Sequence, residues 1–116
     1  MYQSHDQYPV QVIPNMKGGE GHFDVETLVP PQLLGKAGTL FARGTLPPGC
    51  SVGLHTHIAN MEVCYILSGS GLVEDAQAGR TRLNPGDTHI CLPSDAHKIL
   101  NDGTVPLVYL AVVLNP

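Results

Sequence analysis

Glycine and proline divide this chain into short apolar segments, and this punctuation limits its fold more than any other feature. The 13 glycines and 10 prolines are spread along all 116 residues. Between them lie apolar runs such as TLFARGTL, VCYILSG and PLVYLAVVL, separated by PPG, SGSG and NPGD. The runs recur about every 8 to 12 residues, which is typical of all-β sandwiches and barrels. We therefore predict an all-β fold, with one helical turn in PPQLLGKAG that begins at Pro30 and Pro31 and ends at Gly35.

Composition and charge restrict the partners of the chain. The length favours one domain, and a hydrophobic content of 42% is enough for one buried core. The net charge is -4 and no cluster of lysine and arginine is present, so we expect no nucleic-acid partner. No apolar run reaches the roughly 18 residues of a membrane-spanning helix. The start MYQSHDQYPV lacks the pattern of a signal peptide, and the three cysteines favour a reduced, cytoplasmic setting.

Two histidines and a carboxylate stand in the apolar stretch GCSVGLHTHIANMEVCYILSGSG. In a strand, His55 and His57 point to the same face, because side chains alternate along a strand. If the chain turns at IANM and returns antiparallel, Glu62 comes back beside them. A buried carboxylate next to two imidazoles would need compensation, which a divalent cation provides. The alternative is two surface histidines with Glu62 in a solvated loop.

A third histidine is predicted to point inward from the segment HKILN. Alternation places His97, Ile99 and Asn101 on one face of a strand, with Lys98 and Leu100 on the other. Because Lys98 belongs in water, His97 faces the interior.

These residues fit a known sequence pattern. Gly49, His55, His57, Glu62 and Gly69 resemble the first motif of the cupin family at every defining position. In GDTHICLPSDAHKILN, the second motif is matched by the residues Gly86, His97 and Asn101. This motif departs from the family in its middle: proline comes one residue late, at Pro93, and Ser94 replaces a glycine. We interpret the departure as a changed turn at the rim of a retained site.

The resemblance extends over about residues 38–114 and implies a fold, a site and a range of activities. The implied fold is a double-stranded β-helix or jelly-roll barrel at 38–116, with residues 1–37 as an N-terminal extension whose edge strands pack on it. The implied site is one divalent transition metal held by His55, His57, Glu62 and His97. This donor set suits Mn, Fe, Ni, Co or Zn, and an octahedral ion would keep two positions for other ligands.

Three functions stay open at this point. The first is a metal-dependent enzyme, dioxygenase- or lyase-like, acting on a small organic molecule. The second is a metal-dependent isomerase of a small polar molecule, although only six lysines and arginines are available to hold a phosphosugar. The third is a non-catalytic small-molecule binding or sensor protein. We expect an otherwise apolar cavity, which favours an apolar or aromatic ligand.

Several other residues have both a functional and a structural interpretation. His89 could act as an acid or base in the cavity or face solvent, and Arg43 could hold an anion at the barrel mouth or be an exposed strand residue. His22 could belong to a lid. We expect Cys64 and Cys91 to be small core residues, Tyr65 to face outward and Asn101 to form a structural hydrogen bond.

The last apolar run, LVYLAVVL, predicts a strand that is covered on both faces. Its outer face would pack on a second sheet, on the N-terminal segment or on another subunit. We therefore expect a homodimer.

Overall fold

The structure, a computed structural model, describes residues 1–77 and 79–116. Within them lie a 3₁₀ helix at Met16–Gly18, a single α-helical turn, α1, at Pro31–Leu34, and ten strands. The strands are β1 (Val10–Pro14), β2 (His22–Thr27), β3 (Gly38–Leu46), β4 (Ser51–Thr56), β5 (Met61–Ser68), β6 (Gly71–Asp75), β7 (Gly79–Leu83), β8 (Thr88–Cys91), β9 (Ala96–Leu100) and β10 (Leu107–Leu114). No helix in the described residues is long and apolar enough to cross a membrane.

The strands form two antiparallel sheets around one core. The larger sheet has the order β1-β2-β3-β10-β5-β8, and the smaller has the order β4-β9-β6-β7. Strands that neighbour each other in space are far apart in the chain, as in the pairing of β9 with both β4 and β6. This arrangement confirms the all-β, double-stranded β-helix prediction. The core between the sheets is formed by buried side chains from both, including Leu46, Val52, Ile66, Val73, Ile99 and Leu107.

Side chains along the strands alternate between the core and the outer face, as the sequence predicts. On β5, Cys64 and Ile66 are buried, whereas Tyr65 and Leu67 are exposed. On β9, His97 and Ile99 are buried. On β10 every second residue from Leu107 onward is buried, and the residues between them are half-covered. The inner face of each strand therefore supplies the core, because hydrophobic burial favours one face of a pleated strand.

The segment before the barrel adds strands to the larger sheet. β2 pairs with β3, and β1 pairs with β2 as the edge strand. The predicted helical turn is present as α1, with Pro30 before it and Gly35 after it. Proline suits the first turn of a helix, where its missing N–H is not needed, and Gly35 adopts a positive φ that ends the helix.

Two glycines let the 3₁₀ helix lie directly on β4. A Cβ at Gly53 would overlap the backbone carbonyl oxygen of Lys17, and a Cβ at Gly19 would overlap that of Ser51. The Ser51 hydroxyl also accepts a hydrogen bond from the Glu20 N–H at 2.9 Å. The contact matters for function because it fixes Met16 and Lys17 beside the strand that carries His55.

We expect Gly53→Ala to lower the free energy of unfolding by about 1–3 kcal/mol, because backbone atoms cannot move away from the new methyl group at low cost. Urea unfolding followed by circular dichroism would measure the loss. Gly103→Ala is the matched control, since a Cβ there meets its nearest atom at an ordinary 3.4 Å. Equal stability of the two variants would contradict the close contact between the 3₁₀ helix and β4.

Candidate metal centre

Four side chains from three strands of the two sheets converge inside the barrel. His55 lies near the end of β4, His57 directly follows that strand, Glu62 lies on β5 and His97 on β9. The Nε2 atom of His97 is 3.2 Å from Nε2 of His55 and 3.3 Å from Nε2 of His57. It is also 3.0 Å from Oε1 of Glu62. One potential ligand atom from each residue lies within 4.8 Å of the other three, so this group is able to bind a metal ion.

Hydrogen bonds orient two of the imidazoles so that each can bind a cation through Nε2. The Nδ1 of His55 lies 2.8 Å from the Gly53 carbonyl oxygen, which can only accept, so Nδ1 carries the proton. The Nδ1 of His57 lies 2.8 Å from the Asn60 amide oxygen and donates to it. With the proton on Nδ1, the Nε2 lone pair of each ring points into the cluster. Such partners orient histidine ligands in metal sites.

The donor set fits a cation better than it fits an empty polar cluster. The Nε2 lone pairs of His55 and His57 and a carboxylate oxygen of Glu62 all point at Nε2 of His97, which can donate a single proton and gives it to Glu62 at 3.0 Å. A divalent ion in place of that proton could bind all four residues. Three nitrogen donors and one oxygen donor suit the later divalent metals of the first transition row, and they do not suit Ca²⁺ or Mg²⁺.

The electrostatics keep the site in the protonation state that metal binding needs. Burial lowers the pKa of His55 below 6.5, and the neighbouring imidazole of His97 acts in the same direction. Burial alone would raise the pKa of Glu62, but the hydrogen bond with His97 and the nearby imidazoles hold it below 4.5. Near neutral pH, His55 is therefore neutral and Glu62 is ionised, as ligands must be.

The altered turn of the second motif is tied to the backbone of His57. Ser94 has a φ of 74°, a left-handed conformation that glycine adopts more easily. The Asp95 N–H donates to the Leu92 carbonyl at 3.0 Å and closes the turn over Pro93 and Ser94. The Ser94 N–H donates to the His57 carbonyl at 2.6 Å, and the His57 N–H donates to the Asp95 carbonyl at 3.0 Å. The departure from the motif thus changes the turn and leaves His97 in the site.

Two cavities meet at the cluster. The first, here called the mouth, has a volume of about 530 Å³ and includes His55, His57 and Glu62, with Lys17 and Asn60 at its border. The second, here called the inner chamber, has a volume of about 290 Å³ and extends between the sheets. His55, Glu62, Met16 and Leu40 line both. The remaining lining of the inner chamber is mostly apolar: Ile13, Phe23, Val25, Pro31, Val52, Ile99, Tyr109 and Ala111, with Gln11 and Thr27.

Comparison with known proteins identifies the family. Residues 42–113 match the family model described as a cupin domain. The chain belongs to the cupin family. The match covers more than half of the chain and both motifs up to Asn101, so the resemblance seen in the motifs is confirmed.

Relatives of this cupin include proteins with names that refer to oxalate. The oxalate-binding protein of Thermotoga maritima is 37% identical over 102 residues, which cover 88% of this chain and 84% of that protein. A crystal structure described as a predicted oxalate decarboxylase, also from Thermotoga maritima, has a TM-score of 0.94 and 34% identity, with 100% of both chains covered. A sugar phosphate isomerase of the cupin superfamily from Silicibacter pomeroyi has a TM-score of 0.76 at 20% identity, with 100% of this chain and 76% of that chain covered. At that identity the likeness shows the fold alone.

The other polar candidates of this cupin divide into one that faces inward and two that do not. His89 on β8 faces the interior, where its ring stacks on that of His97. Arg43 lies on the outer face of β3, between the buried residues Ala42 and Gly44, and its Nε donates to Glu26 at 2.6 Å. His22 is on the outer face of β2, where its Nδ1 lies 2.7 Å from Asp24. Neither Arg43 nor His22 borders the mouth or the inner chamber, because strand parity directs both away from the core.

The cysteines, Tyr65 and Asn101 occupy the structural positions expected from the sequence. Cys64 and Cys91 are buried, and burial raises the pKa of both thiols, that of Cys91 to about 11. A neutral thiol is a poor nucleophile, so packing is their role. Tyr65 faces outward and is 42% exposed. The Asn101 amide donates to the Leu46 and Val105 carbonyls at 2.8 Å and accepts from the Gly103 N–H at 2.9 Å.

Three residues near the site had no distinctive signal in the sequence. Asn60 orients His57, Lys17 reaches the mouth, and Asp75 pairs with His89 at 3.1 Å. The IANM turn could have suggested Asn60, because asparagine is frequent in turns and its amide oxygen is an acceptor. Lys17 is brought to the mouth by the packing of the 3₁₀ helix on β4, and Asp75 is brought beside His97 by the pairing of β6 with β9.

We expect the metal-free protein to lose stability as the pH falls from about 8 to 5. Because the pKa of His55 is lower in the folded protein than 6.5, the unfolded chain binds this proton first as the pH falls. The lowered pKa of Glu62 adds a loss of the same sign as the pH falls further, through 4.5. Urea midpoints of the wild type and His55→Gln across this range would measure the effect. The variant should show a flatter dependence between about pH 7.5 and 5.5, and an unchanged slope would contradict the lowered pKa.

Proposed function

We propose that this cupin binds one divalent transition metal ion through His55, His57, Glu62 and His97, and through it a small carboxylate, with oxalate as the first candidate. The observation that carries the proposal is the convergence of three Nε2 atoms and one carboxylate oxygen within 4.8 Å. The bound ion would supply a Lewis acid that attracts the oxygen atoms of an anion. Mn, Fe, Co, Ni and Zn all fit the donor set.

The residues of the mouth favour a small anion. Among the described residues, Lys17 is the cationic side chain that lines this cavity. The ion and Lys17 together would offset the two charges of a dicarboxylate, with Glu62 as the opposing charge. A curated protein and a solved structure, both from Thermotoga maritima and both covering most of this chain, have names that refer to oxalate. A phosphosugar is less favoured, because a single lysine gives a dianionic phosphate few cationic partners.

The proposed activity is binding of the carboxylate rather than its chemical conversion. Decarboxylation of oxalate gives formate and CO₂ and takes up one proton, so a lyase needs a proton donor near the anion. Apart from the four cluster residues, the titratable side chains that line the two cavities are Lys17 and Tyr109, among the residues that the structure describes. Burial raises the pKa of Tyr109 well above 10, so its phenol holds its proton tightly. Within residues 1–77 and 79–116, Glu62 is thus the one carboxylic acid that lines the two cavities, and no second one is available as a donor.

The inner chamber supports a second candidate, a carboxylate with a short apolar chain. The carboxylate would lie at the metal, beside His55 and Glu62. The chain would extend along Phe23, Val25 and Tyr109, where about 290 Å³ is available. Oxalate has no apolar part and would leave this wall uncovered. A 2-oxo acid with a branched alkyl chain has both parts, and a dioxygenase- or lyase-like reaction on such a molecule is the catalytic form of this candidate.

The test measures metal first and the carboxylate second. Untagged protein produced without added metal should contain close to one transition metal ion per chain by elemental analysis. His97→Ala should reduce the metal affinity by more than tenfold, since even loss of a residue that supports a ligand costs roughly 10–100-fold. His22→Ala is the control, because this histidine lies on the outer face. Calorimetric titration with oxalate and with 4-methyl-2-oxopentanoate should then give binding only to the metal-loaded protein.

Each result decides between the alternatives. Tighter binding of oxalate supports the first candidate, and tighter binding of the oxo acid supports the second. Release of formate from oxalate would add a lyase activity. Wild-type protein that neither contains nor takes up a transition metal would overturn the proposal.

We also propose that this cupin forms a homodimer through the outer face of the larger sheet. Val112 on β10 lies between Phe41 and Val63 in the register, and Leu110 lies beside Tyr65. This row of apolar side chains faces away from the core, so a second copy would remove it from water. Light scattering should give the mass of a dimer for the wild type and of a monomer for Tyr65→Lys. Leu54→Lys, on the outer face of the smaller sheet, should remain a dimer, and a monomeric wild type would contradict the interface.

A further inference from the structure

His97 differs from the other two imidazoles of the cluster because no hydrogen bond orients it from behind. The Nδ1 atoms of His55 and His57 each have an oxygen partner at 2.8 Å. The Nδ1 of His97 is buried and has no hydrogen-bond partner in the part of the chain that the structure describes. Yet His97 is the central member of the cluster, since its Nε2 lies within 3.3 Å of atoms from His55, His57 and Glu62. The hydrogen bond to Glu62 holds the Nε2 edge of this ring, and a contact of another kind is available to hold its face.

The ring of His89 supplies that contact. The His89 and His97 rings are stacked, with centroids 5.3 Å apart and planes 21° from parallel. The other two imidazoles meet His97 edge-on, at 62° and 72°. His55 and His57 contact the edge of the His97 ring that carries Nε2. A ring stacked on the face of His97 instead restricts the rotation of the His97 ring plane. His89 reaches this position from β8 of the larger sheet, across the barrel from β9.

Asp75 holds His89 in place. The His89 Nε2 lies 3.1 Å from Asp75 Oδ2, and the two side chains are only 10% and 17% exposed. Asp75 is the register partner of His97 in the pairing of β6 with β9, so it is fixed relative to the ring that His89 covers. Its other oxygen accepts a hydrogen bond from the Gln77 N–H at 2.9 Å. Asp75 on β6 of the smaller sheet thus contacts His89 on β8 of the larger sheet. His89 in turn contacts His97 on β9 of the smaller sheet.

We propose that His89, held by Asp75, is a positioning residue for His97: the face of its ring sets the orientation in which His97 offers Nε2 to the metal. The inference rests on the proposed metal site. His89 itself is not a ligand, because it lies outside the cluster of four residues. In metal sites, residues that orient a ligand commonly change metal affinity by about 10–100-fold when they are removed.

The experiment separates the ring of His89 from its hydrogen bond. His89→Phe keeps a flat ring over His97 and loses the bond to Asp75, whereas His89→Gln keeps a hydrogen-bond donor and loses the ring. His22→Ala is the matched control, since His22 forms a similar pair with Asp24 on the outer face of β2. For each protein, the readouts are the Co²⁺ affinity, the d–d absorption of the Co²⁺-loaded form and the melting temperature of the metal-free form.

We expect Co²⁺ to bind His89→Gln about 10–100-fold more weakly than the wild type, with an altered d–d spectrum. His89→Phe, which keeps the ring and loses the bond to Asp75, should lose less affinity than His89→Gln does. His22→Ala should stay within about threefold of the wild type and keep its spectrum. Unchanged affinity in His89→Gln, or equal losses in the Gln and Phe variants, would overturn the positioning role. Wild-type protein that fails to bind Co²⁺ would instead overturn the proposed metal site.

Asp75→Asn keeps the test decisive if His89→Gln does not fold. A neutral amide should hold His89 more weakly than a carboxylate does. Co²⁺ affinity should therefore fall below that of His22→Ala, and affinity equal to that control would overturn the role of Asp75.

Discussion

Three imidazole nitrogens and one carboxylate oxygen point at a common centre between the two sheets, and the surrounding structure must hold these polar atoms close together. The Gly53 carbonyl and the Asn60 amide fix two rings with their lone pairs inward. The buried His97 lies at the centre, within 3.3 Å of all three partners. The one proton on His97 Nε2 cannot satisfy three acceptors, so these side chains would separate in a less tightly packed protein. They are held because each is anchored on a strand or at a strand end of a close-packed barrel.

Access to the centre depends on the segment that precedes the barrel. The 3₁₀ helix lies on β4 at the paired glycines Gly19 and Gly53, and this contact places Met16 and Lys17 at the edge of the site. β1 and β2 extend the larger sheet and supply Ile13, Phe23 and Val25 to the inner chamber. The four residues able to bind a metal thus come from the barrel, whereas much of the wall of the two cavities comes from residues 10–27. In this chain, the segment before the barrel therefore shapes the space that a ligand would occupy.

Much of the site could be predicted because the four residues of the cluster lie close together in the chain or on a strand with clear alternation of side chains. His55 and His57 are two residues apart, and Glu62 follows after one turn of the chain. The alternation in HKILN predicted that His97 points inward. His89 was ambiguous because THIC is a four-residue strand, too short for a pattern to define its faces. Arg43 was ambiguous for a different reason. Its strand is apolar on both sides, so only the buried neighbours Ala42 and Gly44 reveal that it faces outward.

The sequence alone determined the fold class, the two motifs and the face on which each candidate metal-binding residue lies. All of these follow from spacing, from glycine and proline positions and from the twofold period of a strand. Tertiary structure decided what surrounds them. Contacts between segments distant in sequence pair Asp75 with His89 and stack His89 on His97. The packing of the 3₁₀ helix on β4 places Lys17 at the mouth. The volume and apolar lining of the inner chamber have the same origin. Long-range contacts of this kind depend on the packing of the whole barrel, which no local pattern encodes.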